Sequence, residues 1–347
     1  MAFSPLTQKR FSAFRRNKRG MASLMILLAL AMLCACAELL ANDKPVAVRY
    51  KGEWLFPAFK EYPETRFGGF IEAEADYKDP YVADMIIGED KTGVMLWPPL
   101  RFGYNTINYR LSAAAPTPPD NDNWLGTDDR GRDVLSNLIY GTRTSLIFGL
   151  AVTMISSVVG VAAGAVQGYF GGKIDLFFQR LIEMWTGLPE LFVLIIVSGM
   201  TQPNMPILIG LISLFGWPRL TGPVRAEFLK ARNLPYVTAA KTLGVKEKTI
   251  IFRHILPNAA VSALTYIPFV MTGTIALLTV LDFLGFGMPP SAPSLGKVLS
   301  QGKNNLHAPW IGLSVFFTLA SLLTLMLFVG EAVRDAFDPR RESAIIT

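Results

Sequence analysis

The sequence predicts an all-α membrane protein with six transmembrane helices and a large loop after the first. Three observations predict it. The 347 residues are 51% hydrophobic and only 17% charged, and mean hydropathy is +0.35, whereas soluble domains are about a quarter charged. The apolar residues gather in long blocks separated by polar stretches, as membrane spans do. The basic residues behind the net charge of +6 sit in short segments beside those blocks, which fits membrane orientation better than nucleic-acid binding.

The first block runs from about Gly20 to Ala41 and follows Lys9, Arg10, Arg15, Arg16, Lys18 and Arg19. A basic start before an apolar stretch also describes a signal peptide, and Leu33-Cys34-Ala35-Cys36 faintly resembles a lipoprotein cleavage site. The block is about 20 residues, longer than a signal core, and further spans follow it, so it reads as a retained transmembrane helix. Five more blocks follow: Thr144–Val166, Leu176–Met200, Pro206–Leu220, Ala259–Gly285 and Pro309–Val333. Each is near the ~20 residues that cross ~30 Å of hydrocarbon. The fourth is short and ends at Gly216-Trp217-Pro218. Pro189, Pro218 and Pro268 are expected to kink their helices.

Loop charges orient these spans. The segment after the fourth block carries Arg219, Arg225, Lys230, Arg232, Lys241, Lys246, Lys248 and Arg253 against Glu227 and Glu247. Arg334, Arg340 and Arg341 follow the last block, and Lys173 and Arg180 flank the short turn into the third. The positive-inside rule places all of these, with the basic N-terminus, in the cytoplasm. The acidic stretch from Asn42 to Ser136 falls outside. Its Trp54-Leu55-Phe56-Pro57, Trp97-Pro98-Pro99 and Pro116-Thr117-Pro118-Pro119 suggest an ordered, irregular cap of short strands and turns. It serves as a docking surface for an external partner or a lid, or as a stabilising flap. The expected division is an N-terminus (1–19), a first helix (20–41), an outer loop (42–136), a five-helix core (137–335) containing a cytoplasmic loop (219–258), and a tail (336–347).

Several classes of chemistry are excluded. The two cysteines, Cys34 and Cys36, are two apart on a helix and point to opposite sides, so they suit packing rather than a bridge or metal. The two histidines, His254 and His307, are too few for a catalytic metal site. There is no G-x-x-x-x-G-K-[ST] phosphate loop, because Gly171-Gly172-Lys173 and Gly296-Lys297 lack the rest of it. No nucleophile–base arrangement surrounds Ser136 or Ser145, which read as packing or capping residues. The chain is therefore expected to be neither a motor nor an enzyme.

Ionisable residues inside spans are costly and raise functional questions. Glu183 lies near the cytoplasmic end of its span and reaches either the pore or Arg180. Glu190 is a further candidate. Asp282 precedes Phe283-Leu284-Gly285-Phe286-Gly287. It either lines the pore mouth and meets a cationic amine, or caps a helix end through a backbone N–H.

The most informative stretch is the cytoplasmic Tyr236-Val237-Thr238-Ala239-Ala240-Lys241-Thr242-Leu243-Gly244-Val245, continued by Phe252-Arg253-His254-Ile255-Leu256-Pro257-Asn258. It reads as a helix of about two turns, a break at Gly244, and a second helix ending at Leu256-Pro257. Ala239, Ala240 and Leu243 share a helical face, small enough to sit in a groove of another protein. Gly244 supplies a turn where a Cβ would clash, and Pro257 opens the next helix.

This stretch resembles the "EAA" loop of importer-type ABC permeases, in the peptide-permease branch. Leu125-Gly126-Thr127-Asp128-Asp129-Arg130-Gly131-Arg132-Asp133-Val134-Leu135-Ser136, Gly168-Tyr169-Phe170-Gly171-Gly172, Phe283-Leu284-Gly285-Phe286-Gly287, Ala308-Pro309-Trp310 and Arg334-Asp335-Ala336-Phe337-Asp338-Pro339-Arg340 are also similar to that family, in order. Ala41-Asn42-Asp43-Lys44-Pro45 and Arg101-Phe102-Gly103-Tyr104 resemble the branch importing oligopeptides and the peptide-nucleotide antibiotic microcin C. Thr238 stands where the family usually has an acid, and the outer loop is longer than in dipeptide permeases.

The resemblance implies a bacterial inner-membrane permease with a periplasmic loop and both termini cytoplasmic. It implies that Thr238, Ala239, Ala240, Leu243 and Gly244 form a coupling helix seated in an ATPase subunit. It further implies a second homologous permease subunit in a heterodimer, an ATP-binding cassette ATPase that binds ATP and Mg, and a periplasmic substrate-binding protein. No cofactor is expected on this chain. Nickel complexes or oligosaccharides are alternative cargoes within the family, and a secondary transporter is the alternative outside it. The latter would want midplane acids and an internal repeat, and no repeat is seen.

Overall fold

The computed structural model describes residues 5–70, 72–88, 93–201 and 204–337. Asp338, Pro339, Arg340 and Arg341 of the tail, named above, lie outside these. Along the chain, α1 (Pro5–Arg16) and α2 (Lys18–Ala35) lead to a short α3 (Ala37–Leu40). Next come β1 (Ala47–Tyr50), β2 (Glu53–Leu55), a 3-10 turn at Glu64–Phe67, α4 (Pro80–Ile87) and β3 (Val94–Leu96). The remainder is helical: α5 (Val134–Phe170), α6 (Gly172–Thr186), α7 (Glu190–Thr201), α8 (Met205–Gly216), α9 (Pro218–Ala231), α10 (Pro235–Thr242), α11 (Glu247–Thr249), a π-helical turn at Ile250–Ile255, α12 (Leu256–Leu264), α13 (Ile267–Phe283), α14 (Leu295–Asn304) and α15 (Pro309–Phe337).

Among the described residues, α2, α5 and α15 are each long and apolar enough to cross a membrane. Three further spans result if each bent pair counts as one: α6–α7 at 68°, α8–α9 at 41°, and the Glu247–Leu264 helix with α13 at 49°. Each bend falls beside one of the prolines singled out above. Pro189 precedes α7, while Pro218 and Pro268 occupy the first turns of α9 and α13, where a missing N–H costs no hydrogen bond. The fourth apolar block therefore does not stop at Gly216-Trp217-Pro218. The chain turns there and continues as α9.

Two compact units divide the chain. The first draws on the described residues before Ala29, on Leu146 to Pro289, and on those from Ala320 onward. In it, α12 packs on α9, and α9 seats against α5 along Gly160, Gly164 and Gly168. An ideal Cβ would lie 2.5 Å from Trp217 O at the first, 2.7 Å from Thr221 O at the second and 2.6 Å from Arg225 O at the third. Only residues this small let two backbones approach so closely. Below this seam Tyr169, Val224, Phe228, Val237, Ile250 and Ile255 belong to one buried cluster. Val158 on α5 and Phe192 and Ile196 on α7 are exposed, which suits hydrocarbon rather than water as the solvent.

The second unit spans Ala29 to Ser145 and Pro290 to Leu319. Its antiparallel sheet has the order β2-β1-β3, with Val48 opposite Leu55 on one side and Met95 on the other. Val48, Leu55, Tyr62, Phe67, Tyr77, Val82 and Ile86 fill a small core against α4. Asp79 caps that helix by accepting from Tyr81 N–H at 2.9 Å, and Pro80 begins it. A second cluster joins Val134 and Leu138 of α5 to Leu295, Val298, Ile311 and Val315. The helix at the second apolar block thus starts at Val134, ten residues before its hydropathy rises. Its first turns bury Asn137, Tyr140 and Thr142 against protein, which an apolar window does not register.

Candidate functional site

The loop after α9 is built so that its backbone is satisfied internally while its side chains face outward. Leu234 is extended, and Pro235 starts α10. The helix ends in a Schellman motif. Val245 N–H donates to Ala240 O at 3.0 Å and Gly244 N–H to Lys241 O at 3.0 Å, with Gly244 left-handed at φ +73°. Ala240 and Val245, the pair that normally closes such a motif, both pack on the buried cluster. The role of Gly244 differs from the expectation that a Cβ would clash there. Nothing lies within 4 Å of a Cβ at that site, so its positive φ is what favours glycine.

Val237 is buried and anchors α10 to the cluster. Lys241 Nζ sits 4.9 Å from the Tyr169 ring centroid, a cation–π contact that ties α10 to the end of α5. On the other side Tyr236, Thr238 and Ala239 are exposed, and Leu243 is 83% exposed. The expected face of Ala239, Ala240 and Leu243 is therefore split. Ala239 and Leu243 point out, and Ala240 turns in. Thr238 Oγ1 donates to Leu234 O at 3.3 Å. The second helix does not end at Leu256-Pro257. It passes through the π turn into α12, which buries Ile250 and Ile255 and leaves Phe252 65% exposed. Such π turns concentrate at functional positions.

The remaining candidate residues lie on other helices with partners of their own. Glu183 on α6 is exposed and pairs with Arg180 at 2.5 Å. Glu190 at the start of α7 pairs with Arg219 at 2.7 Å. Asp282 on α13 is 4% exposed, and its Oδ1 accepts the Met288 N–H at 2.6 Å, bridging the turn that contains Gly285. Among the described residues, no three His, Cys, Asp or Glu side chains come together to hold a metal ion.

Sequence reasoning missed two supports of the loop. One is the glycine row Gly160, Gly164 and Gly168, a plain four-residue repeat readable in the sequence. The other is the bidentate pair between Asp175 of α6 and Arg225 of α9, at 2.5 and 2.7 Å, which no spacing announces.

The Leu125–Ser136 segment, in the second unit, is knotted. Asp128 is 1% exposed. Its Oδ1 accepts from the Arg130 and Arg132 N–H groups at 2.8 and 2.9 Å, and its Oδ2 from Arg132 Nε at 2.8 Å and Gln301 Nε2 at 3.2 Å. Asn123 Nδ2 donates to Asp133 at 2.9 Å, and the Ser136 N–H donates to it at 2.7 Å. Burial pushes the Asp133 carboxyl upward against these donors. Trp310 Nε1 donates to Thr127 O at 3.3 Å. Gly126 is left-handed at φ +72°, and a Cβ there would lie 2.6 Å from Thr117 O.

Residues 144–343 match the family described as "Binding-protein-dependent transport system inner membrane component". The chain is 53% identical over 338 residues, 97% of its own length and 98% of the relative's, to an Escherichia coli (strain K12) inner membrane ABC transporter permease protein, YejE. It is 49% identical over 98% of its length and 94% of the relative's to a peptidoglycan transport system permease protein, YejE, of Agrobacterium fabrum. An oligopeptide transport system permease protein, OppC, of Lactococcus lactis subsp. lactis is 36% identical over 68% of this chain and 82% of that protein.

Proposed function

Because the chain belongs to the binding-protein-dependent transport system inner membrane components, as a permease of the peptide-importing ABC type, we propose that it carries peptides or peptide-like compounds inward as one of two homologous permease subunits. α10 is its coupling helix. Leu243, Ala239 and Thr238 seat in a cleft of a partner ATPase, which binds ATP and Mg. A periplasmic binding protein delivers cargo to the outer unit. Six spans cross the membrane, the three bent pairs each counting as one, with both termini cytoplasmic.

The observation that carries this reading is the outward face of α10. Leu243, 83% exposed, stands with exposed Ala239 and Thr238 on a short helix whose backbone is closed by its own cap, a surface that a partner can cover without any rearrangement of the main chain. The peptide class of the cargo is supported by the likeness to oligopeptide permeases and a peptidoglycan fragment by the likeness to the Agrobacterium fabrum protein, while microcin C rests on the sequence resemblance given above. Asp282 and Glu183 remain proposed pore residues only in so far as transport opens the turn and the ion pair that now hold them.

The test is growth of a strain deleted for this gene on peptides of increasing length, with and without microcin C. Lost growth on longer peptides together with resistance to the antibiotic supports the reading. Normal growth and full sensitivity move the cargo to nickel complexes or oligosaccharides.

A further inference from the structure

A cavity of about 480 Å³ opens in the first unit between α9, the α12–α13 joint and the end of α15, within the ~300–1,000 Å³ typical of ligand sites. Arg334 is the charged residue that lines it. The acids nearest in sequence, Glu227, Glu331 and Asp335, are not among its lining residues. Thr265 Oγ1 donates to Ser262 O at 2.7 Å. The Ser262 and Tyr266 hydroxyls and the Arg334 guanidinium are the remaining side-chain donors of the lining, and Val261 and Phe337 belong to its apolar wall. A guanidinium and two hydroxyls against an apolar wall match a phosphate ester carried on a hydrocarbon body.

The neighbouring elements point to the source of that phosphate. A Cβ on Gly20 would collide with Ala332 Cβ, so the start of α2 packs closely on α15. Arg10 Cζ lies 5.0 Å from the ring centroid of Phe337, the residue in the cavity wall. These two contacts hold α1 and the first turn of α2 beside the cavity. The segment carries Arg10, Arg15, Arg16, Lys18 and Arg19, and the sequence has no acid before Glu38. Arg15, Arg16, Lys18 and Arg19 are exposed. Phe11 is 62% exposed, with Arg15 Cζ 5.9 Å from its ring centroid. Asn17 separates the two helices and caps α2 by accepting the Gly20 N–H at 3.0 Å, and α2 is long and apolar enough to cross a membrane. A cationic helix with an exposed ring, directly ahead of a span, fits an anionic lipid surface.

We propose that this cavity binds the phosphate of an anionic glycerophospholipid from the cytoplasmic leaflet. Arg334, Ser262 and Tyr266 hold the phosphate, and the cations of α1 draw anionic headgroups to the site. The cytoplasmic position rests on the orientation proposed above, whereas the phosphate chemistry rests on the cavity. Basic pockets at the cytoplasmic ends of spans are a recurring way of holding acidic headgroups.

The experiment is a competition titration of the full-length protein in nonionic detergent, with fluorescent phosphatidylglycerol as the reporter. Unlabelled phosphatidylglycerol should compete about tenfold better than phosphatidylcholine or soluble glycerol 3-phosphate. Arg334→Gln should weaken phosphatidylglycerol binding about fivefold. Ser262→Ala with Tyr266→Phe should weaken it as well, and tests the cavity even where the arginine variant does not fold. Arg15→Gln with Arg16→Gln should weaken binding at low salt but not at about 1 M salt, where charges are screened within about 3 Å. Equal competition by phosphatidylcholine overturns the proposal, and equal competition by glycerol 3-phosphate marks a soluble-phosphate site and overturns it too. Unchanged phosphatidylglycerol binding in both cavity variants does the same. Arg334→Gln that keeps lipid selectivity but lowers the amount of co-purified ATPase assigns the cavity to a protein contact instead. Lipid selectivity with no peptide uptake in cells sinks the proposed transport function and leaves the site. Peptide uptake with no lipid selectivity sinks the site and leaves the function.

Discussion

Residues 125–136 and 236–258 are both charged, glycine-punctuated segments at helix ends, and they treat their polar groups in opposite ways. In the first, Asp128, Asp133, Thr127 and Arg132 spend their hydrogen bonds on one another, on Gln301 and on nearby backbone. In the second, the backbone closes on itself through the Schellman motif, while Leu243, Phe252 and Thr238 are left outside. A segment whose side chains are consumed internally is a clamp, and its sequence is constrained by folding. A segment whose main chain is satisfied and whose apolar side chains face outward is a presented surface, constrained by what it meets. Substitutions should therefore separate stability from transport differently in the two places.

The largest effect is expected at Gly244. Gly244→Arg meets no clash, since the site is open, but it forces a left-handed arginine onto the exposed turn. Uptake should fall at least 100-fold while the amount of protein in the membrane fraction holds, and normal uptake would end the coupling assignment. Next is Asp128→Ala, which strands the mostly buried Arg132 guanidinium. Breaking such a pair costs about 3–5 kcal/mol, so membrane abundance should drop several-fold by immunoblot, with uptake falling in proportion. A leucine pair sharpens the contrast. Leu243→Ala should leave thermal stability within about 0.5 kcal/mol and lower uptake around tenfold, whereas Leu295→Ala, 1% exposed, should cost about 2–5 kcal/mol and leave uptake per folded molecule unchanged. Equal thermal shifts in the two would contradict the division. The smallest effect is expected at Glu183→Gln. Its pair with Arg180 is exposed, so stability should change by less than about 1 kcal/mol and uptake by less than twofold. A large uptake defect there would promote Glu183 to a transport residue.

The sequence carried the apolar blocks and the break at Gly244 because hydropathy and glycine placement are local signals. Pro189, Pro218 and Pro268 gave the bends for the same reason, since a missing N–H acts where it stands. The start of α5 was illegible because Asn137, Tyr140 and Thr142 are buried by protein rather than lipid. The strands of the second unit are three or four residues long, too short for an alternating pattern to accumulate. Both alternatives for Asp282 were visible in its position before a glycine-rich phrase, but its hydrogen bond to Met288 N–H depends on the path of a turn.

The unbroken length of α5 has a mechanical meaning. At 37 residues it is a rod about 55 Å long, gripped near one end by the glycine seam with α9 and by the cluster that also holds α10. A rod of this length tilted by about ten degrees about one end sweeps its other end through about 10 Å. A small angular shift at the end near α10 is thus enlarged by helix length alone.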